Sequence, residues 1–223
     1  GETFFHEERR DLIHEFDYID ADALAICVRN RDPEGRYTSV RRMIADPHYP
    51  VMLVHVRLEG EEQLLSRLRV YAMLAPHLEV GGRGNSARVV DVAGKRVILA
   101  WKEAMSLAFS ADCGFSRASC GYVGTSDGWQ DLKQNLKMDW EFGSALDGNI
   151  ALMGELPMMQ REFTIAIGFG EGHHAALSAT GGSLAVPFER HLHRFLEQWH
   201  RAATPRELAR HCSDNGRLLN ISH

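Results

Sequence analysis

The chain has 223 residues and a formal net charge of −5, with 44% hydrophobic and 25% charged residues. This is the composition of a globular protein with one large domain, or a domain with an appendage. No apolar run approaches the ~20 residues of a membrane-spanning helix, and the mixed charges form no basic stripe, so we expect neither a membrane nor a nucleic-acid partner.

Apolar and polar residues alternate along most of the first 171 residues, which is the pattern of half-buried β-strands. The alternating segments are residues 24–28, 51–58, 68–74, 89–92, 96–101, 107–110, 150–156 and 163–169. Turn-forming residues separate them, and long helices do not alternate with them, so we predict an antiparallel architecture. About ten strands are awkward in one open sheet, and the sequence therefore predicts two stacked sheets.

One short helix is predicted within the β-rich part of the chain. Ser126 or Asp127 can cap a turn that continues through Trp129, Leu132 and Leu136 at helical spacing.

A long amphipathic helix is predicted near the end of the chain. It starts near Leu184, with Pro187 in its first turn, and Gly181-Gly182 separates it from a shorter helical piece at residues 175–179. Thr204-Pro205 ends it and starts a last polar helix through Leu208. Its apolar face needs a surface, either the sandwich or a following domain. That face comprises Phe188, Leu192, Phe195, Leu196, Trp199 and Ala203.

The four cysteines lack the CxxC spacing of a zinc site. Cys113 and Cys120 are close enough in sequence to face each other across a hairpin. Four cysteines in a domain of this size do not make a disulfide scaffold, and we predict free, partly buried thiols.

Several segments are distinctive because they occur together. They are residues 4–10 (FFHEERR), 30–37 (NRDPEGRY), 74–78 (LAPHL), 81–87 (GGRGNSA), 121–132 (GYVGTSDGWQDL), 147–149 (DGN) and 168–170 (GFG). Over essentially its whole length the chain resembles the amino-terminal domain of bacterial glucoamylases and glucodextranases, in family 15 of the glycoside hydrolases. The stretch from Ser126 to Asp131 is the most specific part of this resemblance.

The resemblance implies a mainly β fold, a two-sheet antiparallel β-supersandwich of the galactose-mutarotase-like type with a C-terminal helical linker. Residues 1–171 would form the supersandwich, with the family's first strands missing. Residues 172–223 would form the linker towards an (α/α)6-barrel that is absent from this chain and carries the two catalytic carboxylates. The parent enzyme would release glucose, with inversion, from the non-reducing ends of α-1,4 or α-1,6 glucans.

The resemblance therefore implies no catalytic residue and no cofactor in this chain. Its expected partners are its own barrel and the α-glucan substrate of the parent enzyme. We expect a non-catalytic domain that braces the barrel and shapes its cleft. The alternatives are a stand-alone carbohydrate-binding module and a sugar mutarotase or epimerase.

The carboxylate pair with the best context for hydrolysis is Asp127 and Asp131, with Trp129 and Tyr122 nearby as sugar-stacking faces. Hydrolysis needs two carboxyl groups ~5 Å or ~6.5–9.5 Å apart in a sugar-sized cleft. Both residues also have a structural explanation that needs no catalytic role: Asp127 caps the helix, and Asp131 is solvated in its first turn. We adopt this interpretation. Two interpretations of Trp129 stay open: its loop, residues 124–129, reaches the barrel's substrate cleft or docks on its surface, or the indole is a core residue, as isolated Trp residues more often are.

A second Gly-rich loop, residues 78–85, follows a strand but lacks the helix that a phosphate-binding turn requires. We expect it to allow close backbone packing at the domain interface. Together the two loops give the predicted carbohydrate or domain-interface residues: Tyr122, Asp127, Trp129, His77 and Asn85.

Two further side-chain sets are alternatives for a site. A mutarotase would use a His as acid and a Glu as base, drawn from His55, His77, His6, Glu7, Glu59 and Glu79. A metal would be held on one helical face by His193, Glu197 and His200, but neighbouring arginines oppose a cation, so we predict no metal site.

If early strands are missing, an unpaired sheet edge is exposed, and unpaired edges invite pairing with another chain. We therefore expect self-association or an added strand contact. No signal peptide is visible, which slightly favours the cytoplasm and leaves the compartment open because the chain already begins in strand-like sequence.

Overall fold

The computed structural model describes residues 4–158, 160–202 and 213–214. Within them the chain forms twelve β-strands and five α-helices. The strands are β1 (Ile13–Tyr18), β2 (Ile26–Arg31), β3 (Tyr37–Ala45), β4 (Val51–Gly60), β5 (Tyr71–Leu74), β6 (Asn85–Val92), β7 (Lys95–Lys102), β8 (Met105–Ala111), β9 (Arg117–Tyr122), β10 (Ser144–Gly148), β11 (Ile150–Glu155) and β12 (Glu162–Glu171). The helices are α1 (Glu8–Asp11), α2 (Glu62–Leu65), α3 (Gly128–Asn135), α4 (His173–Leu184) and α5 (Phe188–Ala202).

The strands form two sheets whose neighbouring strands are all antiparallel. The large sheet has the order β1-β2-β3-β4-β12-β8-β7-β6-β10 and the small sheet the order β5-β11-β9. The predicted mainly β, two-sheet fold is therefore confirmed. The sheets are unequal, nine strands against three.

The main core lies between the two sheets. It contains the rings of Phe109 and Phe163 and the aliphatic side chains of Ile98, Ile150 and Leu152, all at most 2% exposed. Each such side chain contributes about 1.5–3 kcal/mol on burial. The inward-facing residues alternate with outward-facing ones, which is why the sequence pattern predicted these strands.

A helical layer covers the outer face of the large sheet. Phe188, Leu192 and Phe195 of α5 pack with Ile44 and Leu53 of the sheet. The amphipathic helix was predicted to pack either on the sandwich or on a following domain. It packs on the sandwich of its own chain.

The predicted boundaries of this layer are wrong in two places. Helix α4 continues through Gly181-Gly182 to Leu184 instead of ending before them, and Gly182 lies against the Tyr49 ring. Helix α5 starts at Phe188, directly after Pro187, whose carbonyl accepts the first helical N–H groups. The predictions for Ala203, Thr204-Pro205, the last polar helix and the tail lie outside the described residues.

One end of the sandwich carries most of the irregular backbone. The antiparallel registers bring the turns at residues 19–25, 46–50 and 147–149 to the same end as the loops at 75–84 and 122–127. We call this the loop end. Helix α5 also finishes there, since its His200 Nε2 lies 3.0 Å from Oδ2 of Asp20.

Three smaller predictions can be compared with the structure. Cys27, Cys113 and Cys120 are free thiols, as predicted, and burial raises the pKa of Cys113 to about 11. Cys212 lies outside the described residues. No helix of the described chain has the length and apolar character to cross a membrane.

Candidate functional site

The loop at residues 75–84 is organised from inside by Asn85. This side chain is 0% exposed, and its Oδ1 accepts a hydrogen bond from the Leu78 N–H at 3.1 Å. Its Nδ2 donates to the carbonyls of Gly81 and Gly82, both at 2.8 Å. Asn85 was predicted as a sugar or interface contact, but its amide is consumed inside the loop. Its role is to fix the loop's shape.

The tip of this loop has an unusual backbone. Glu79 and Val80 have φ angles of 48° and 54°, and Val80 is 101% exposed. Left-handed backbone is a genuine outlier for a β-branched residue, and such conformations cost roughly 1–3 kcal/mol each. A fully exposed apolar side chain held on a strained tip is suited to contact another surface.

Gly82 brings this loop against the turn at residues 147–149. A Cβ added at Gly82 would lie 2.6 Å from Asn149 Oδ1 and 3.2 Å from His77 Nε2. The absence of a side chain at Gly82 therefore leaves room for both the Asn149 amide and the His77 ring. Both side chains are exposed.

Tyr122 lies on the other side of the same turn. Its hydroxyl donates to the Leu146 carbonyl and accepts from the Leu146 N–H, both at 3.0 Å. Its ring covers Gly148, where an added Cβ would lie 2.6 Å from Cε1. Tyr122 is 38% exposed, so one part of the ring remains available. The structure thus brings two predicted site residues, His77 and Tyr122, to one surface through the turn at 147–149.

Asp127 caps helix α3, as predicted. Its Oδ1 accepts from the Gln130 N–H at 2.9 Å and its Oδ2 from the Gly124 N–H. Asp127 is 8% exposed and sits where the helix dipole favours a negative charge. Its hydrogen-bonding capacity is used to shape the loop before the helix.

Asp131 is not solvated, contrary to the prediction. It is 0% exposed, and its Oδ2 accepts from the N–H groups of Asp139 at 2.9 Å and Trp140 at 2.8 Å. Its Oδ1 accepts from the Asn135 side chain at 2.8 Å. The carboxylate stabilises the reversal of chain direction that follows α3. Sequence spacing alone does not reveal this role. The carboxylate is not placed to act on a sugar.

Trp129 is held against the N-terminal segment. The Arg10 guanidinium carbon lies 5.8 Å from the ring centroid, and the Lys133 ammonium lies 5.1 Å from it. Arg10 also lies 5.9 Å from the Phe5 ring. These cation–π contacts, each worth about 0.5–1 kcal/mol at an exposed site, occupy the indole that was predicted to meet sugar.

The candidate His/Glu pairs do not form. His6 Nδ1 contacts the Tyr37 hydroxyl at 2.9 Å, and the His77 ring lies beside Gly82. His55 does pair with a glutamate, at 3.0 Å, but this is Glu162 and not one of the three candidate glutamates. Phe188 stacks on the His55 ring with centroids 4.8 Å apart, so no sugar-sized space adjoins that face.

His55 makes the stability of the fold depend on pH. Burial lowers the pKa of His55 from its ordinary 6.5, although the hydrogen bond with Glu162 opposes this. A lowered pKa means that the neutral ring stabilises the fold fully above pH 6.5, and that this contribution is lost as the pH falls below it.

We therefore expect lowering the pH from 7 to 5 to reduce the free energy of unfolding by more in the wild type than in His55→Gln. Urea unfolding at both pH values measures this. His193→Gln is the matched control, because His193 is 74% exposed on the same side of the fold. An identical pH dependence in the His55 variant and the wild type would contradict the assignment.

The three helical residues considered as metal ligands, and predicted not to be, make two separate contacts. His193 Nδ1 lies 3.6 Å from Glu197 Oε2, whereas His200 turns to Asp20. The described residues contain no group of three or more His, Cys, Asp or Glu that could hold a metal ion.

The sequence model of the family described as glucodextranase, domain N, matches residues 1–203. The chain belongs to this family. A curated glucoamylase from Clostridium sp. (strain G0005) is 23% identical over 202 residues, which is 90% of this chain and 29% of that protein.

Solved structures share the domain N fold. The crystal structure of a bacterial glucoamylase complexed with acarbose superposes with a TM-score of 0.85 at 22% identity, covering 90% of this chain and 30% of that one. A putative kojibiose phosphorylase from the human microbiome gives a TM-score of 0.51 at 7% identity, covering 86% of this chain and 27% of that one. The chain thus spans less than a third of each of these relatives.

Sequence reasoning missed two features of this domain N at the loop end. Asn149 was seen only as part of a turn, and Val80 was not singled out. The close approach of Asn149 to Gly82 has no local sequence signal. The left-handed backbone at Val80 is a conformation that valine rarely adopts, so its sequence does not predict it. The Gly-rich composition of residues 81–84 was the one available indication.

Proposed function

We propose that this chain is the non-catalytic N-terminal domain of a glucoamylase-type α-glucan hydrolase, and that its loop end braces a separate (α/α)6-barrel. The parent reaction, by family, is the inverting release of glucose from non-reducing ends of α-1,4 or α-1,6 glucans. Both carboxylates of the one candidate pair, Asp127 and Asp131, are engaged by hydrogen-bond donors of this chain, which supports the non-catalytic role.

One observation supports the proposal most strongly: the last turn of α5 and the loops lie at the same end of the sandwich. Helix α5 runs to the turn at residues 19–25, so the chain leaves the sandwich at the loop end on its way to any following segment. The strained tip at Val80 and the cluster of His77, Asn149 and Tyr122 lie at that same end. At normal strand spacing β2 and β6 lie roughly 30 Å apart in the large sheet. A barrel that begins beside α5 would have to extend over this distance to contact the loops near β6.

The test uses a polypeptide that joins this chain to a family barrel. Val80→Asp places a charge at the tip without adding backbone strain, because Asp tolerates the left-handed region better than Val. We expect the variant to lose glucose-releasing activity at a lower temperature than the parent, while the isolated chain melts unchanged.

The matched control is Val92→Asp, since Val92 is 39% exposed at the end of β6 opposite the loop end. It should leave the temperature of inactivation unchanged. Equal effects of the two substitutions would contradict docking through the loop end.

The alternative of a stand-alone carbohydrate-binding module makes a different prediction. It needs Trp129 and Tyr122 as free stacking faces, whereas Arg10 and Lys133 lie over the Trp129 ring. We therefore expect no heat when the isolated chain is titrated with millimolar maltoheptaose. Saturable heat that Tyr122→Ser abolishes would favour the binding module.

Self-association stays a prediction, and we propose the outer edge of β1 as the edge it would use. Among the described strands, β1 pairs with β2 alone, and Phe16 is 58% exposed. When two copies of β1 pair symmetrically and antiparallel, each residue lies opposite its own copy or opposite a residue that is an even number of positions away in the sequence. A register centred on residue 16 therefore opposes Glu15 to Asp17, and registers centred on residues 15 and 17 oppose Glu15 and Asp17, respectively, to their own copies. Each of these like-charge pairs is unfavourable.

Removing these charges should strengthen any association through β1. We expect the Glu15→Gln/Asp17→Asn double variant to show a higher weight-average mass by light scattering at high concentration than the parent chain. Glu59→Gln, on β4 inside the sheet, serves as the control. A double variant that matches the parent mass would rule β1 out as the contact.

A further inference from the structure

A buried polar cluster fastens the helical layer to the sandwich, and the loop-end proposal does not use it. Asp46 follows β3, Ser183 lies in the last turn of α4, and His191 lies in the first turns of α5. The three residues are 7%, 0% and 2% exposed. Three separate elements thus place polar side chains at one point that water does not reach.

The contacts of His191 define where its protons lie. Its Nε2 is 2.9 Å from the Ser183 carbonyl oxygen. A carbonyl has no hydrogen to give, so Nε2 must carry one. Its Nδ1 is 3.3 Å from Oδ2 of Asp46 and has no other polar partner, although the angle falls short of an aligned hydrogen bond.

Asp46 accepts on both of its oxygens. Oδ1 takes the N–H groups of His48 at 2.8 Å and Tyr49 at 3.2 Å, and Oδ2 takes the Ser183 hydroxyl. A bare Nδ1 on His191 would therefore set a ring lone pair against a carboxylate in a buried site. Buried polar atoms in native proteins are almost always paired, so this arrangement would be costly.

We propose that His191 carries a proton on both ring nitrogens, and that the resulting imidazolium–carboxylate pair with Asp46 is the latch that seats α4 and α5 on the large sheet. The pair sits between the hydrophobic contacts of α5 and the turn at residues 46–50. It fixes the direction in which α5 leaves the sandwich. The latch belongs to this chain alone and does not depend on the proposed barrel.

Two further charged pairs of α5 lie away from this cluster. Glu189 pairs with Arg42 of β3, and His200 pairs with Asp20 at the far end of the helix. From the turn, His48 and Tyr49 meet Asp46 through backbone N–H groups, and α4 contributes the uncharged Ser183. Asp46 is thus the charged group that faces the His191 ring.

Ring-nitrogen NMR of the ¹⁵N-labelled full chain in neutral solution tests the proton assignment. We expect two protonated ring nitrogens for His191, assigned by the loss of its signals in His191→Leu. In Asp46→Asn the side-chain amide can donate to a neutral ring, so Nδ1 should become unprotonated while the fold is kept. A bare Nδ1 in the parent chain, or an identical ring spectrum in Asp46→Asn, would overturn the proposal.

Trypsin cleavage after Arg190 and Arg194 tests the seating of α5. His191→Leu keeps the turn contacts of Asp46 but removes the latch, and we expect cleavage at these sites to become at least tenfold faster. His193→Gln, exposed on the same helix, should cleave at the parent rate. Parent-like cleavage of His191→Leu, with unchanged circular dichroism, would show that the pair does not hold the helix.

Discussion

Replacing Asp131 with Asn is expected to lower the free energy of unfolding by about 3 kcal/mol, because buried hydrogen-bond donors lose their acceptor. The carboxylate is 0% exposed and accepts from the Asp139 and Trp140 N–H groups and from the Asn135 amide. An Asn can keep one oxygen acceptor, but its amide N–H₂ must then face another donor. Chemical denaturation of the isolated chain measures the loss.

Asp139→Asn is the matched control for this prediction. Asp139 lies on the same segment, is exposed, and pairs at the surface with Lys137 at 3.1 Å. Surface ion pairs are worth about 0–1 kcal/mol, so this variant should stay close to the parent. Equal stability of the parent and Asp131→Asn would show that the carboxylate does not hold the reversal after α3.

The same result bears on any activity measurement. If the isolated chain released glucose and Asp131→Asn abolished the release, catalysis and unfolding would have to be separated by measuring stability in parallel. We expect the isolated chain to release no glucose from maltooligosaccharides.

The second large effect is expected at Asn85. Asn85→Ala removes the acceptor of the Leu78 N–H and the donor to the Gly81 and Gly82 carbonyls, all within the loop. Leaving such groups unpaired costs about 1–3 kcal/mol, and the strained backbone at Val80 loses its support. We expect a lower unfolding free energy by denaturation and faster proteolysis within residues 78–84.

Asn149→Ala provides the comparison within the same surface. Asn149 is exposed, and its side chain touches the loop from outside at Gly82. We expect a much smaller loss of stability and intact resistance to proteolysis. If the two alanine variants were equally stable, the loop would not depend on its buried amide.

The strands with a regular apolar pattern were predictable from the sequence, and those without one were not. In β4 and β12 this pattern arises because one face meets the inter-sheet core, while Leu53 and Ala166 on the other face lie under the helical layer. β1 was missed since its residues are exposed on both faces, and β10 because its pairing with β6 is irregular. The same reasoning explains α5, whose apolar stripe matches the outer face of the large sheet.

The candidate site was less predictable than the fold. The cap at Asp127 follows from local rules and was correct. The burial of Asp131 and Asn85 depends on partners that lie several residues away along irregular backbone, which no periodic pattern records. His55 illustrates the same limit, since its glutamate partner, Glu162, comes from a strand more than a hundred positions later.

Hydrogen exchange at the loop end tests the bracing role most directly. The isolated chain is compared with a polypeptide that joins it to a family barrel. We predict that amides in residues 75–84, 122–127 and 147–149 exchange at least tenfold more slowly when the barrel is present. Unchanged exchange in these segments, with protection on another face of the sandwich, would contradict the account.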